Sequence, residues 1–373
     1  MPAHTKKVAI IGGGLAGLIT AYQLARCDVE VTVFERKRFP FHRVCGEYIS
    51  NETLPFLRRL GLFPEELRPS VITRFELTST NGKKGTLPLD LGGFGISRFS
   101  FDHWLVQKAR AAGASIQEGV QVEEIVRQEG CFEIRISNTT HPFEIVVGSF
   151  GKRSKLDRQL HRPFIDRSSP YVGVKYHIRN DHPKDLIALH NFKNGYCGIS
   201  RVEDGIVNLC YLTHRSNLKE KGSISEMEST VLHQNPHLKG IFEDSDFLFE
   251  KPEVINEISF ETKAPIEDHI FMAGDAAGMI APLCGNGMAM AIHSSKLLAE
   301  QLIPLSMGKI SQREAEKAYV TKWKNHFTAR LWAGRKIQSL FGSAWQSDLA
   351  VGLINHTPPL ARYLVSKTHG QAF

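Results

Sequence analysis

The chain lacks any uninterrupted run of 18 apolar residues, which is about the length that a membrane-spanning helix requires. The most apolar candidate, residues 270–292, contains Asp275, Pro282 and Asn286. The N-terminal stretch 8–25 follows two lysines, but three consecutive glycines interrupt it and no small-residue cleavage site follows it. We therefore predict neither a transmembrane segment nor a signal peptide.

The chain also has no C-x-x-C pair, no zinc-finger spacing of cysteine and histidine, and no internal repeat. Its six cysteines are scattered through 373 residues, which is not the pattern of a disulfide-rich protein. We expect free cysteines, no metal site and a reducing, cytoplasmic compartment.

The charge balance is only mildly basic, with 46 lysines and arginines against 39 acidic residues and a net charge of +7. This surplus permits attraction to nucleotides, acidic substrates or an anionic membrane surface, but we predict no nucleic-acid partner from it. The 42% of hydrophobic and 23% of charged residues are typical of a globular protein, and the length suggests two domains.

The first half of the chain indicates an α/β fold. A short, fully apolar strand at 8–11 precedes a glycine turn, a helix at 15–26 and a strand at 29–34, which is typical of a buried parallel sheet. Further predicted elements are a hairpin around Asn81-Gly82, a helix at 102–112 with Asp102 as its N-cap, and strands at 121–126, 131–136 and 144–147.

The second half changes character. Short strands between 171 and 260 predict a mostly antiparallel sheet, interrupted by a helix at 224–233. A buried strand at 269–273 then precedes a helix that begins near Gly287. The last part of the chain is predicted to be helical, with helices at 311–341, 347–354 and 358–367.

The first motif that carries chemistry is G-x-G-x-x-G at 12–17. Gly12 permits a tight turn, Gly14 lets the backbone approach a pyrophosphate, and Gly17 allows close helix–strand packing. Glu35 ends the second strand, where its carboxylate can accept both hydroxyls of an adenosine ribose. Because a plain strand–helix turn explains one glycine and not all three, the set predicts a dinucleotide site.

The second motif is G-D-A-A-G at 274–278, followed by P-x-x-G-N-G-M at 282–288. An aspartate directly after a buried strand is costly unless it meets hydrogen-bond donors, and the hydroxyls of a ribityl chain would supply them. The glycines from Gly285 to Gly287 would bring helix N-terminal amides against a ligand that accumulates negative charge. The alternative is that Asp275 caps a helix.

These two motifs, together with R-x-x-F-D-x-x-L at 98–105, resemble the FAD-dependent monooxygenase superfamily of aromatic hydroxylases, flavin halogenases and geranylgeranyl reductases. The segment R-V-C-G-E at 43–47 is most similar to the geranylgeranyl reductase-related branch. The resemblance covers about residues 6–305 and implies a split Rossmann-like FAD-binding domain, an inserted antiparallel β-sheet substrate domain and a helical C-terminal tail. The expected boundaries are 1–70, 95–165 and 265–305 for the first, 71–94 and 166–264 for the second, and 306–373 for the third.

The resemblance also implies which residues contact FAD. Glu35 would bind the adenosine ribose, Arg43 and Arg98 the region of the pyrophosphate and ribityl chain, and Val122 the adenine edge through its backbone. Surface salt bridges for the two arginines and a strand-core position for Val122 are the alternatives. The full predicted set is Gly12, Gly14, Leu15, Ala16, Gly17, Glu35, Arg36, Arg43, Arg98, Val122, Asp275, Gly285, Asn286, Gly287 and Met288.

The loop at 45–47 is the candidate catalytic segment, because in relatives it lies beside the isoalloxazine. Glu47 would assist proton transfer and Cys45 would border the substrate. A buried small hydrophobe for Cys45 and a solvated charge for Glu47 are the alternatives.

Two departures from the superfamily limit the resemblance. Phe150 stands where the superfamily usually has the aspartate of a G-[AS]-D-G turn, which calls into question the hydrogen bonds that tie this turn together and any NAD(P)H-related role that it supports. The W-x-W motif of flavin halogenases is absent, so we do not expect halogenation.

The favoured function is an FAD-dependent monooxygenase that hydroxylates a hydrophobic or aromatic small molecule through a flavin C4a-hydroperoxide. The alternatives are a flavin-dependent reductase of C=C bonds in an isoprenoid-like substrate and a non-catalytic flavin-binding protein. Because no second G-x-G-x-x-G is followed by an acid, electrons would come from transiently docked NAD(P)H or from a separate reductase.

The C-terminal helices interleave basic and aromatic residues, among them Lys324, Trp332, Lys336, Phe341 and Trp345. Such a pattern is typical of a peripheral membrane contact. Helices that pack an aromatic face on the body of the protein show the same pattern, and we favour this interpretation.

Overall fold

The computed structural model describes residues 5–167, 169–256, 258, 260–338 and 343–373. In chain order the strands are β1 (Val8–Ile11), β2 (Val31–Glu35), β3 (Tyr48–Ser50), β4 (Ser70–Thr78), β5 (Lys84–Gly95), β6 (Ser115–Glu118), β7 (Glu124–Gln128), β8 (Cys131–Ile136), β9 (Thr139–Phe143), β10 (Ile145–Gly148), β11 (Tyr171–Arg179), β12 (Leu186–Phe192), β13 (Gly195–Arg201), β14 (Val207–His214), β15 (Asp246–Phe247), β16 (Glu253–Asn256), β17 (Ile266–Glu267) and β18 (Ile270–Met272). The α-helices are α1 (Leu15–Ala25), α2 (Leu54–Leu60), α3 (Arg98–Ala111), α4 (Lys155–Gln159), α5 (Arg215–Lys221), α6 (Ile224–Thr230), α7 (Pro236–Glu243), α8 (Gly287–Ser306), α9 (Gln312–Gln338), α10 (Ala344–His356) and α11 (Pro358–Ser366).

The first sheet has the strand order β17-β18-β10-β1-β2-β6. The five strands from β18 to β6 run parallel, and only β17 is antiparallel to its neighbour. β1 is fully buried because α1, with α3 and α8 beside it, covers one face of the sheet and the small sheet β7-β8-β9 packs into the same core, which is why its four residues are all apolar. This sheet gathers strands from both ends of the chain, and the carboxyl ends of β1, β2, β10 and β18 meet at one edge.

The second sheet has nine strands in the order β15-β11-β14-β13-β12-β4-β5-β3, with β16 paired to β11. Its neighbours are antiparallel except for β12, which runs parallel to β4. One face packs on α5, α6 and α7 through residues such as Val174, Leu209 and Met227. The other face packs on α10 and α11 through residues such as Leu189 and Ile354.

Several sequence expectations need correction. α3 begins at Arg98 with Ser97 as its N-cap, because the Ser97 hydroxyl accepts a hydrogen bond from the Ser100 amide. Asp102 therefore lies inside α3, where its carboxylate pairs with arginines instead of capping the helix. The strand expected at 121–126 begins at Glu124, so Val122 precedes it.

The hairpin around Asn81-Gly82 is confirmed, with Phe75 opposite Leu87, and the helix after the late buried strand begins at Gly287 as expected. The helix expected at 224–233 ends as α6 at Thr230. Residues 339–341 of the helix expected at 311–341 lie outside the described residues. All six cysteines are free thiols, as expected.

Candidate functional site

A cavity of about 1300 Å³ extends from the carboxyl edge of the parallel sheet to the face of the second sheet that packs on α10 and α11. This volume exceeds the roughly 300–1,000 Å³ of a typical single-ligand site. Of the seventeen residues predicted from the sequence, all except Gly17 line the cavity. The fold thus brings together residues that are as far apart in the chain as Gly12 and Met288.

The glycine turn between β1 and α1 forms one wall. Gly12 has φ +109°, and a Cβ atom there would collide with the Ser149 carbonyl oxygen. A Cβ at Gly17 would collide with the Gly12 carbonyl oxygen, so Gly17 serves helix–strand packing, which explains why it does not line the cavity. No side chain caps the N-terminus of α1, and Gly14 and Leu15 line the cavity there. Free backbone amides at this end can therefore bind an anion.

Glu35 lies at the end of β2 and is almost completely buried. Its Oε2 accepts hydrogen bonds from the Gly13 amide at 3.0 Å and from Arg43 Nη2 at 3.2 Å. Arg43 Nε also donates to Asp102 at 3.0 Å, and Arg98 Nε donates to the same carboxylate at 2.6 Å. Both predicted arginines therefore form ion pairs and line the cavity at the same time, so the two interpretations of them are compatible.

Asp275 follows β18 in a single 3-10 turn, Gly274–Ala276, whose N-cap is Ala273, and it lines the cavity. Two buried basic side chains that the sequence analysis missed hold this turn. Lys263 Nζ donates to the Asp275 carbonyl oxygen at 2.9 Å, and burial lowers the pKa of Lys263 to about 8. Arg162 Nη1 donates to the Ala276 carbonyl oxygen at 2.9 Å.

The turn in which Phe150 replaces the usual aspartate is held by its neighbour. The Ser149 hydroxyl donates to the Gly12 carbonyl oxygen at 2.7 Å, and the Ser149 amide donates to the Ile11 carbonyl oxygen at 2.8 Å. Phe150 itself lines the cavity. The turn is thus tied to the glycine loop by Ser149, without a carboxylate.

The N-terminus of α8 forms the opposite wall. Gly285, Asn286, Gly287 and Met288 all line the cavity, and no side chain caps the helix. Asn286 donates through Nδ2 to the Thr368 carbonyl oxygen at 2.8 Å, whereas its buried Oδ1 has no hydrogen-bond partner in the described part of the chain. The hydrogen bond to Thr368 ties the N-terminus of α8 to the C-terminal segment of the chain.

The cavity has two halves: a nucleotide half, lined by the glycine turn and the N-terminus of α8, and a second half at the second sheet. Glu47 lies at the junction of these halves, and its side chain is completely buried. It accepts hydrogen bonds from Lys175 Nζ at 2.5 Å, from His177 Nε2 at 2.7 Å and from the Arg98 amide at 2.7 Å. Burial opposes ionisation of Glu47, but Lys175 and His177 outweigh it and lower the pKa of Glu47 to about 2. Glu47 is therefore a buried carboxylate, and its alternative interpretation as a solvated charge is wrong.

His42 stands beside this cluster, with its ring edge-on to that of His177 at 5.0 Å. Burial, reinforced by Lys175, lowers the pKa of His42 to about 4, so the imidazole is neutral near pH 7. Cys45 lines the cavity two residues before Glu47, and its carbonyl oxygen accepts a hydrogen bond from Asn208 at 3.2 Å. The loop at 45–47 is thus anchored to the second sheet.

Sequence analysis missed Lys175 and His177. They occupy alternate positions of β11, whose intervening residues pack into the core beside α6 and α7. Such alternation normally places the polar residues in solvent, but here segments distant in the chain, including Glu47, His42 and Phe249, cover this face of β11.

The other half of the cavity is apolar. The residues that β4, β5, β12, α10 and α11 contribute include no charged side chain: Phe75, Leu77, Leu89, Ile187, Leu189, Trp345, Gln346, Leu349, Ala350, Leu353, Ile354, Ala361, Leu364 and Val365. This half offers an apolar ligand a surface that excludes water.

Residues 5–322 match the family described as FAD binding domain, which is most of the chain. The chain belongs to this family. The predicted membership of the FAD-dependent monooxygenase superfamily is confirmed, and the protein is an FAD-dependent oxidoreductase.

Similar proteins catalyse different reactions. A digeranylgeranylglycerophospholipid reductase of Methanopyrus kandleri is 24% identical, with 92% of this chain and 88% of the relative covered. A tryptophan 2-halogenase of Chondromyces crocatus is 23% identical, with 88% of this chain and 66% of the relative covered. The solved structure of a probable FAD-dependent monooxygenase from Pseudomonas aeruginosa has a TM-score of 0.74 and 16% identity, over 92% of this chain and 98% of that one. The last comparison shows a shared fold.

The cavity fits FAD, the cofactor of this family. Two helix N-termini that no described side chain caps, those of α1 and α8, meet it from opposite walls, so free backbone amides are available to the phosphates and to the flavin. No helix among the described residues is long and apolar enough to cross a membrane.

Proposed function

We propose that this protein is a monooxygenase that uses FAD to hydroxylate a hydrophobic or aromatic small molecule. The observation that carries the proposal is that one continuous cavity joins the dinucleotide signature to an uncharged, apolar half. An apolar substrate in this half would lie next to the redox cofactor in a space from which water is excluded.

In this proposal the nucleotide half binds the cofactor. The α1 N-terminus would bind the pyrophosphate, and Glu35 the adenosine ribose. Arg43 and Arg98 would face the phosphates and ribityl chain, where their ion pairs with Asp102 fix their orientation. The remaining contacts would be Gly12, Gly14, Ala16, Arg36, Val122, Asp275, Gly285, Asn286, Gly287 and Met288.

The substrate half positions the reacting ring. When bound, FAD supplies the electrons and the oxygen activation that insertion of one oxygen atom requires. The residues of β4, β12 and α10 would orient an electron-rich ring and keep water out. Because its pKa is about 2, Glu47 donates no proton near neutral pH, and we assign it the role of holding Cys45 and Gly46 at the junction.

The test is turnover of the purified, FAD-loaded protein with NAD(P)H or with NAD(P)H and a flavin reductase, while aromatic and polyprenyl compounds are screened. We expect substrate-dependent O2 uptake and a product that gains one oxygen atom. A protein that cannot be loaded with FAD, or one that only saturates a double bond without O2, would contradict the proposal.

One alternative has its own support. The similarity to the digeranylgeranylglycerophospholipid reductase extends over 92% of this chain and 88% of that protein. A reductase of C=C bonds needs a proton donor beside the flavin, and the Cys45 thiol lines the cavity at the junction. Under anaerobic conditions, a reductase would saturate a double bond of an isoprenoid-like substrate, and Cys45→Ala would slow this reaction. If the protein is instead a monooxygenase, the Cys45→Ala variant would still consume O2.

A further inference from the structure

The exposed hydrophobic residues are concentrated in one region. Thirteen large hydrophobic side chains are exposed in the described part of the chain, and six of them lie between residues 332 and 364, which is less than a tenth of its length. These six are Trp332, Trp345, Leu349, Leu360, Tyr363 and Leu364. We refer to the surface that they form on the end of α9, on α10 and on α11 as the mouth surface. A concentration of this kind marks an interaction site.

The mouth surface surrounds the opening of the apolar half of the cavity. Trp345, Leu349 and Leu364 line the cavity and are nevertheless 67%, 65% and 43% exposed. Residues on the rim of an opening satisfy both conditions. By contrast, Tyr319, Trp323 and Phe327 of the same α9 helix are buried against the body of the protein. The favoured interpretation from sequence, an aromatic face packed on the body, therefore holds for the first part of α9 and fails for its end and for α10 and α11.

The charge of this region is positive. Residues 332–373, which contain the six exposed side chains, include four lysines and arginines and one acidic residue, a formal charge of +3. Lys336 is exposed one helical turn after Trp332, and Lys367 Nζ lies 4.6 Å from the centre of the Tyr363 ring. Lys84 is exposed where its carbonyl oxygen accepts a hydrogen bond from Asn355 of α10. Basic side chains thus flank the exposed apolar ones.

We propose that the mouth surface binds an anionic lipid bilayer, so that the apolar half of the cavity opens directly into the lipid and receives its substrate from there. Tryptophan and tyrosine beside lysine are the residues that favour a membrane–water interface, and the basic residues complement anionic headgroups. A bilayer both solvates the exposed apolar side chains and dissolves an apolar substrate that can enter the adjoining cavity. The inference goes beyond the proposed hydroxylation, because it holds for either reaction.

The first test measures binding of the FAD-loaded protein to vesicles, without turnover. We expect sedimentation with vesicles of phosphatidylcholine containing roughly one third phosphatidylglycerol, and at least tenfold weaker binding to pure phosphatidylcholine. Leu349→Ser should weaken binding about tenfold, because it removes an inserted apolar side chain. Val71→Ser is the matched control, since Val71 is equally exposed at 67% but lies on β4 outside the mouth surface. Retention of FAD by both variants excludes unfolding as the cause.

Two further measurements separate the apolar from the electrostatic contribution. Trp332 and Trp345 are exposed, whereas Trp104 and Trp323 are buried, so a blue shift of tryptophan fluorescence on vesicle addition reports insertion of the mouth surface. Trp345→Phe should remove about half of this shift. Lys367→Glu should weaken binding to anionic vesicles more than tenfold, because it changes the charge by two units. Lys219→Glu on α5, which packs on the opposite face of the second sheet, is the control.

Three results would overturn the proposal. The first is equal vesicle binding by Leu349→Ser and Val71→Ser. The second is binding without any fluorescence shift, which would indicate a purely electrostatic attraction. The third is absence of vesicle binding together with formation of a dimer that Leu349→Ser abolishes, because the mouth surface would then be an interface between two copies of the chain. A loss of hydroxylation alone would bear on the proposed function and not on this inference.

Discussion

The two halves of the cavity are built in different ways. In the nucleotide half, polar groups are paired with one another before any ligand arrives, as in the series from Glu35 through Arg43 and Asp102 to Arg98. In the apolar half, the described lining residues of β4, β5, β12, α10 and α11 include no charged side chain, so its walls come from one sheet and from two helices close to the C-terminus. The nucleotide half is suited to recognise one cofactor by fixed geometry. The apolar half is suited to select substrates by their size and apolar area.

The first test of this difference between the two halves concerns Arg162, which holds the turn that contains Asp275 in the nucleotide half. Arg162 is completely buried and donates to Asp157, to the Ala264 carbonyl oxygen and to the Ala276 carbonyl oxygen. Arg162→Met should lower the free energy of unfolding by about 3–5 kcal/mol, because it leaves the Asp157 carboxylate buried without its partner. Urea denaturation measures this loss, and release of FAD on dilution should accompany it.

The matched control for this substitution is Arg74→Met. Arg74 also pairs with an aspartate, Asp185, but both side chains are largely exposed. Its loss should change the free energy of unfolding by less than about 1 kcal/mol. If the two substitutions lowered the free energy of unfolding equally, burial of the Arg162–Asp157 pair would add nothing to the stability of the nucleotide half.

The second test concerns the junction of the two halves. The pKa of Glu47 is about 2 in the folded protein, below its ordinary value of 4.5, so the ionised carboxylate stabilises the fold above about pH 4.5 and this contribution is lost as the pH falls towards 2. The free energy of unfolding of the unchanged protein should therefore fall by on the order of 2–3 kcal/mol between about pH 4.5 and pH 2 because Glu47 becomes protonated. Glu47→Gln should not show this part of the fall. The variant should also be less stable at pH 7, because Lys175 then lacks its carboxylate.

Glu220→Gln is the control for this pH dependence. Glu220 also pairs with a lysine, Lys221, but on the surface, where solvent screens the interaction. We expect its acid unfolding profile to match that of the unchanged protein. An unchanged profile in Glu47→Gln as well would contradict the assignment of a stabilising ion cluster to the junction.

The sequence predicts some parts of the site better than others, depending on whether a contact lies within one local motif or joins distant segments. Glu35 and the glycines of the 12–17 turn were found because a local motif encodes their roles through fixed spacing. Lys175 and His177 were missed because their burial depends on Glu47, which is about 130 residues away in the chain. Asp102 was assigned as an N-cap although its pair with Arg98 is a local contact of α3 at i,i+4 spacing; its pair with Arg43 requires a segment 59 residues away. Spacing therefore predicts contacts within a motif but not contacts between distant segments.

The third test weakens the nucleotide half alone. Glu35→Ala should raise the dissociation constant of FAD about 10- to 100-fold, because hydrogen bonds to a charged group are worth about 1.5–3 kcal/mol. Quenching of flavin fluorescence measures the affinity. Glu30→Ala is the control, since Glu30 is exposed and pairs with Lys7 away from the cavity. If both variants bind FAD as tightly as the unchanged protein, Glu35 does not bind the ribose.

The smallest effect on FAD is expected from a change in the apolar half. Leu353→Trp in α10 would fill part of this half without touching a nucleotide-binding residue, so the affinity for FAD should change less than about twofold. Turnover of large substrates should fall much more than that of small ones, because the added ring takes the volume that the larger molecules occupy. Val126→Trp, at an exposed position of β7 that does not line the cavity, should change neither quantity. If Leu353→Trp instead released FAD while sparing large substrates, the apolar half would be part of the cofactor site, and the division of the cavity into two halves would be wrong.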